Sequence, residues 1–230
     1  IPDEFTYSIE VGGTRNSEST GDMLSYAGGG DDRLGRDDGT RALSSVLLDA
    51  IQRYRGAIDP QSINDVLRRE GQANATIVDA VNINRQLALA LNRNISITPK
   101  STGPDYDLKG NIGNSFIVTD DLELEFMVAG GYKSQWRGTQ TITRDEGQPV
   151  EQFSKERQSK HAVDLNASLN LGARYTDDHM LSTTSLFLRN TDDEVAVIDS
   201  FNENREKSGG EGFRDERIKY EQREMVVNQI

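Results

Sequence analysis

Five pairs of adjacent aspartates punctuate a chain that has no cysteine: 31–32, 37–38, 120–121, 177–178 and 192–193. Two neighbouring carboxylates are hard oxygen donors of the kind that bind calcium or magnesium. None of the pairs carries the spaced Asp/Asn ladder and distal glutamate of an EF-hand loop, so turn formation is the better reading for most of them. One group stays open as a hard-cation candidate: Asp31, Asp32, Asp37 and Asp38, which lie together in a glycine-rich segment. The absence of cysteine excludes disulfides, thiolate metal sites and a cysteine nucleophile. His161 and His179 are the only histidines. Set near opposite ends of one strand they would stand some ~50 Å apart, too far to share a metal or a catalytic site. Serines are plentiful, but no nucleophile elbow or triad spacing accompanies them. The single tryptophan, Trp136, reads as an interfacial anchor rather than a ligand-stacking residue. No catalytic, cofactor-binding or metal-binding residue is therefore assigned, no enzyme activity is expected, and ligand-binding residues stay unassigned.

The elements that would position these groups emerge from the placement of apolar residues. Overall composition points the wrong way at first. An apolar fraction of 34% and a mean hydropathy of −0.66 in 230 residues describe a very soluble or loosely folded chain. A formal charge of −12 argues against a nucleic-acid partner, which requires a basic footprint. No run approaches the roughly 18–20 apolar residues of a spanning helix. Yet Leu122, Leu124, Phe126, Val128, Tyr132 and Trp136 alternate with Glu123, Glu125, Lys133 and Gln135. Val163, Leu165, Ala167, Leu169, Leu171, Ala173 and Tyr175 alternate with Asp164, Asn166, Ser168, Asn170, Gly172 and Arg174. Successive side chains on a strand point to opposite faces, so each run has one apolar and one polar face. Phe5 to Val11 and Tyr106 to Val118 repeat the pattern, and it recurs less evenly around Met180 to Leu188 and Ile218 to Val226.

Strand length then discriminates between environments. Soluble strands average about 5–6 residues. Fourteen steps of about 3.3 Å cover about 46 Å, or about 33 Å of rise at a 45° tilt, enough to span the roughly 25 Å apolar band of an outer-membrane barrel. Aromatic residues near strand ends (Tyr132, Trp136, Tyr175, Phe187, Tyr220) suit interfacial girdles. The links alternate in length as well. Asp-rich short links at 119–121 and 176–179 read as periplasmic hairpin turns, and polar segments at 138–160 and 191–213 as long outer loops. The expected strands are 105–118, 122–136, 159–175, 180–190 and 214–227.

A helical insert interrupts the strands at 41–71. Leu43, Val46, Leu47, Ala50, Ile51 and Tyr54 recur at helical spacing, with Gly56 as a stop. Asp59 as N-cap with Pro60 behind it, then Ile63, Val66 and Leu67 before Gly71, predict a second short helix. Within 72–104, Leu87, Leu89 and Leu91 alternate and 94–98 is a candidate strand.

Three segments resemble a known family. Gly28 to Leu43, containing Leu34-Gly35 and Asp37-Asp38-Gly39-Thr40-Arg41-Ala42-Leu43, is similar to a segment of TonB-dependent outer-membrane receptors. Arg33, Arg36 and Ser44 stand where that pattern has tryptophan, an aromatic residue and proline. Leu188 to Glu194 and Tyr220 to Gln229 resemble two further segments of the family. The resemblance implies a fold class that is mainly all-β: an antiparallel transmembrane β-barrel wall, partial, spanning 1–230 with a short helical insert. It implies a 22-stranded barrel closed by a plug domain, of which this chain holds five to seven strands and no plug. The implied function is uptake of a scarce nutrient (siderophore, cobalamin, oligosaccharide or peptide) in the bacterial outer membrane. The implied partners are TonB through the plug region, the transported small molecule and outer-membrane lipid. Two other classes compete: a small complete outer-membrane barrel serving as adhesin or scaffold, and a soluble all-β binding domain.

Overall fold

The computed structural model describes every residue except 1, 3, 18–20, 30–31, 93–94, 148–149, 151, 177 and 203–211. The chain forms two compact units, one made of 1–38 with 97–230 and the other of 39–96.

The larger unit is an antiparallel sheet. Its strands are β1 (Thr6–Thr14), β4 (Asp105–Thr119), β5 (Leu122–Arg144), β6 (Phe153–Tyr175), β7 (His179–Phe201) and β8 (Phe213–Gln229), paired in that order. A two-stranded ribbon of β2 (Asp22–Tyr26) and β3 (Ile97–Ser101) completes the unit. The fold is thus mostly antiparallel β, as expected. The sheet is open: β1 and β8 pair on one side only among the described residues, so the strands form a wall and not a closed barrel.

The two tight connections lie on one rim. Asp120 and Asp121 link β4 to β5, and the 176–178 link joins β6 to β7, with Thr176 in the left-handed region at φ 56. The two turns are tied together, the Thr176 N–H donating to the Asp121 carbonyl at 2.8 Å. Asp177 lies outside the described residues.

The strands are longer than the alternation predicts, and both expected outer loops shrink. β5, β6 and β7 each run 23 residues. The expected loop at 138–160 reduces to 145–152, and the expected loop at 191–213 is strand as far as Phe201. Unbroken pairing carries these extensions, from Gly138↔Ser159 to Arg144↔Phe153 and from Thr191↔Val163 to Phe201↔Phe153. The backbone needs only a partner strand to satisfy its donors and acceptors, so ladders continue where the side-chain pattern is lost. Residues 203–211, with Gly209 and Gly210, lie outside the described residues.

The smaller unit holds three helices: α1 (Ser45–Tyr54), α2 (Pro60–Arg69) and α3 (Ile77–Leu89). The first two form as the sequence predicts. Asp59 caps α2 by accepting the Ser62 N–H at 3.0 Å, with Pro60 in the first turn. Gly56 and Gly71 follow α1 and α2 at φ 82 and φ 90. The third helix fills a stretch, 72–104, that the sequence leaves ambiguous, and the candidate strand at 94–98 is met by β3 from Ile97 onward. Thr76 and Asp79 form a capping box, and Ala80 and Leu87 turn into a shared core with Leu47, Ala50, Tyr54, Ile63 and Leu67. The helical insert is therefore larger than 41–71. No helix among the described residues is long and apolar enough to cross a membrane, which has no bearing on crossing by strands.

Candidate functional site

Register places the alternating residues of all strands in common rows. Counted outward from the two tight turns, the odd rows of one face begin with Leu122, Tyr175 and His179 and continue with Leu124, Ala173 and Leu181. Phe126 and Leu171 form row five, Val128, Ile112 and Leu169 row seven, and Gly130, Ala167 and Phe187 row nine. β1 adds Tyr7, Ile9 and Val11 to the same face. Apart from His179 at the rim, no charged side chain enters this face among the described residues before row eleven, where Arg189 pairs with Glu224 at 2.8 Å. Ten steps from row one to row eleven rise about 23–27 Å at a tilt of 35–45°. The apolar side chains of this belt are open to the surroundings: Phe116 is 50% exposed, Val128 42% and Leu171 43%.

On β4 to β6 the opposite face at the same depth is mostly polar or small, while β7 and β8 place Leu186, Leu188, Met225 and Val227 there. Arg174 bridges Glu123 at 3.1 Å and Glu125 at 3.3 Å. Asn111 donates to Ser8 at 2.6 Å, and Thr184 to Asn170 at 2.8 Å.

Beyond row eleven the belt-bearing face acquires a protein cover. Leu24 and Tyr26 of β2 pack with Val195 and Val197, flanked by Ile97 and Ile218. The Leu24 N–H donates to Ser159 Oγ at 2.8 Å, and the Tyr26 hydroxyl to Asp193 Oδ1 at 3.1 Å. The segment after β2 docks on the same rows. Thr191 Oγ1 donates to the Gly35 carbonyl at 2.5 Å, and the Tyr132 hydroxyl donates to the Arg33 carbonyl. One face thus has two regimes: its apolar residues are buried where the chain covers them and bare below.

A recess of about 400 Å³ opens at the edge of this cover, lined among others by Arg33, Lys100, Tyr106, Tyr132, Ser134 and Trp136. Trp136 stacks on His161 with ring centroids 4.4 Å apart, and the Lys100 amine sits 5.1 Å from the Trp136 ring centre. His161 shares a hydrogen bond with Ser134 at 2.8 Å. A hydroxyl beside an imidazole is the start of a nucleophile–base pair, but Ser134 is only 4% exposed and shows the recess little of its surface. The pair is a buried hydrogen bond that fixes the stacked rings. Trp136 therefore lies beyond the belt as a packing residue, while Tyr175 and Tyr132 stand at rows one and eleven, where a girdle is expected. Phe187 falls inside the belt at row nine, and Tyr220 shares the row of Trp136 and His161.

His161, four rows past the belt, is held well below the ordinary histidine range, at about 4, first by burial and then by the Lys100 charge, with Asp105 opposing. The folded state thus binds fewer protons than the unfolded chain between the two values. The stability that neutral His161 contributes is full above about pH 6.5 and drains as pH falls toward 4. Trp136 fluorescence recorded against pH is expected to change below 5, and His161→Gln is expected to abolish that transition. A midpoint near 6.5 would show that the ring is not sequestered.

The structure brings three of the four open cation candidates together. One carboxylate oxygen each from Asp32, Asp37 and Asp38 lies within 4.8 Å of the others, and Asp31 is outside the described residues. A local turn accounts for the arrangement: Gly35 N–H donates to the Asp32 carbonyl and Asp38 N–H to Asp32 Oδ1, both at 3.0 Å. The two histidines sit on different strands, His179 opening β7 at the rim and His161 far along β6, and share nothing. Sequence reasoning missed Lys100, Tyr106 and Ser134 as neighbours of Trp136. The register of β4, β5 and β6 places Tyr106, Ser134 and Trp136 together, and Lys100 arrives on the separate ribbon.

The fold and its surface define a class: an open antiparallel wall with one bare, uncharged belt whose reverse face carries ion pairs. Comparisons with protein-family models, with curated proteins and with solved structures found no match.

Proposed function

We propose that the chain is part of the wall of an outer-membrane β-barrel, and that this barrel is a TonB-dependent receptor importing a scarce nutrient. The observation that carries the membrane reading is the belt: an uncharged apolar face about as tall as the hydrocarbon band of an outer membrane, backed by ion pairs at equal depth. A soluble sheet buries its apolar face and solvates the polar one. Here the covered apolar residues, Val195 and Val197, sit beyond the belt, whereas Phe116, Val128 and Leu171 of the belt stay about half exposed. Lipid is the medium that favours such a surface. The free edges of β1 and β8 then require neighbouring strands, because unpaired backbone is not tolerated in hydrocarbon. The receptor assignment rests on the three resembling segments. It implies TonB as a partner through a plug region and a small-molecule cargo that this part of the wall does not identify.

The absence of cysteine makes the membrane reading testable by single-cysteine labelling of the complete protein in cells. Leu171→Cys is expected to react with a lipid-soluble maleimide and to resist a membrane-impermeant one. Gln140→Cys, at row nineteen, is expected to react with both. Equal labelling of the two sites by the impermeant reagent would remove the membrane assignment. Capture of the TonB periplasmic domain by the complete protein tests the receptor half. An outer-membrane barrel that fails to bind TonB would leave the wall and sink the receptor.

A further inference from the structure

We propose that the belt-bearing face holds one anionic lipid at its upper edge, with the phosphate in the Arg33–Lys100 recess and an acyl chain in the groove below it. The inference rests on the belt facing lipid. Two cavities meet at Tyr132. The upper one is the recess of about 400 Å³ already described. The lower one, about 450 Å³, is lined by Ile9, Leu108, Gly110, Gly130, Tyr132 and Leu165, with Lys109 and Asn166 at its side.

The groove exists because Gly110 and Gly130 lie directly opposite each other on β4 and β5, leaving two adjacent positions of the belt without side chains. Ala167 continues the shallow row on β6. A slot of this kind in a mainly apolar face accepts a methylene chain.

The recess has the complementary chemistry. The Lys100 amine and the exposed Arg33 border it, and Tyr106 and Tyr132 place two hydroxyls at its lower lip. Two carboxylates stand close by: Asp32, which lines the recess and accepts the Asp38 N–H at 3.0 Å, and Asp105, which accepts the Trp136 N–H at 2.8 Å. Arginine and lysine around a small polar hollow match a phosphate group, which supplies several strong acceptors. Row eleven is also where the belt ends, which in the membrane reading is the boundary between acyl chains and headgroups. A free phosphate would leave the groove bare, and an uncharged lipid would bring no net negative charge to Arg33 and Lys100. A phosphate-bearing lipid satisfies both cavities together.

The test titrates the complete protein, in non-ionic detergent, with three probes under native mass spectrometry: a short-chain phosphatidic acid, phosphatidylcholine of the same chain length, and inorganic phosphate. Phosphatidic acid is expected to bind about tenfold more tightly than phosphatidylcholine, and inorganic phosphate to show no saturable binding. Arg33→Glu and Lys100→Glu are each expected to weaken phosphatidic acid about tenfold. Gly130→Leu is expected to weaken it similarly by filling the groove, and Ala167→Leu fills the same slot from β6 without altering a glycine. Equal binding of the two lipids, or phosphate binding as tightly as phosphatidic acid, overturns the proposal, as does indifference to all four variants. If Leu171→Cys is open to the impermeant maleimide, the membrane reading fails and takes this inference with it. If that residue is protected and phosphatidic acid does not bind, only this inference falls.

Discussion

Leu169→Arg is expected to destabilise the membrane-inserted protein by about 2–4 kcal/mol, whereas Ser168→Arg, one residue earlier on β6, is expected to cost less than about 1 kcal/mol. Leu169 occupies row seven, near the middle of the belt, opposite Val128 on β5 and Ser185 on β7. A guanidinium there has to shed water or distort the bilayer, and the cost is steepest at mid-depth. Ser168 points to the reverse face, between Ala129 and Leu186 across the strands and beside Asn166 and Asn170, where a charge keeps polar neighbours. In a water-soluble sheet the ranking disappears, because Leu169 is already 39% exposed and a surface substitution at such a site changes stability by about 0.5 kcal/mol or less. Denaturant unfolding of the complete protein refolded into vesicles measures the difference as a shift of midpoint at constant slope. Equal, small shifts for the two variants would contradict a lipid-facing belt.

Gly35→Ala is expected to cost about 2–4 kcal/mol and to release the 32–38 segment from the sheet. Three effects converge at this residue. Its φ of +65 lies in the left-handed region, unfavourable for any residue with a Cβ. A Cβ built there would stand 2.7 Å from Thr191 Oγ1 and 3.2 Å from Val163 Cβ. Moving away breaks the buried hydrogen bond from Thr191 to the Gly35 carbonyl. Neither contact atom belongs to a long flexible side chain, so relief has to come from the backbone. Thr191→Ala removes the closest contact but also the hydrogen bond. The double variant Gly35→Ala with Thr191→Ala is therefore expected to be less destabilised than the sum of the two single ones. Hydrogen exchange in 32–38 and the thermal midpoint report the outcome. A Gly35→Ala protein with native protection there would mean that the loop docks by other contacts.

How much of this could be read from residue order varies by element, for identifiable reasons. β4 was legible almost to the residue because Tyr106, Leu108, Ile112 and Phe116 share one face throughout its length. β5 was legible only as far as Trp136. Beyond it, Gly138 and Gln140 on one face and Thr139 and Thr141 on the other present no contrast, so period two vanishes while the ladder to β6 persists. The threonines were the remaining signal, since β-branched residues favour strands. α3 stayed ambiguous because Leu87, Leu89 and Leu91 alternate, although the last of them lies past the helix end. The better evidence was Thr76 followed by Asp79, a capping pair, with Ala80 and Leu87 at helical spacing. Of the recess, Trp136 and His161 had been noticed separately, but nothing local pairs two residues on neighbouring strands.

Residue order by itself determined that the fold is mainly antiparallel β, the two tight turns, the first two helices and which side of β5 and β6 is apolar. All of these are properties of short stretches: a period of two or of 3.6, a cap, a turn former. The tertiary structure decided which apolar side chains are covered and which are left bare. Val195 and Val197 are buried by Leu24 and Tyr26, while Leu169 and Leu171, equally apolar, are open. It also set Lys100 over Trp136 and Ser134 against His161. The physical reason is that alternation fixes the face on which a side chain lies, whereas its neighbours on that face depend on strand register and on segments docking from far along the chain.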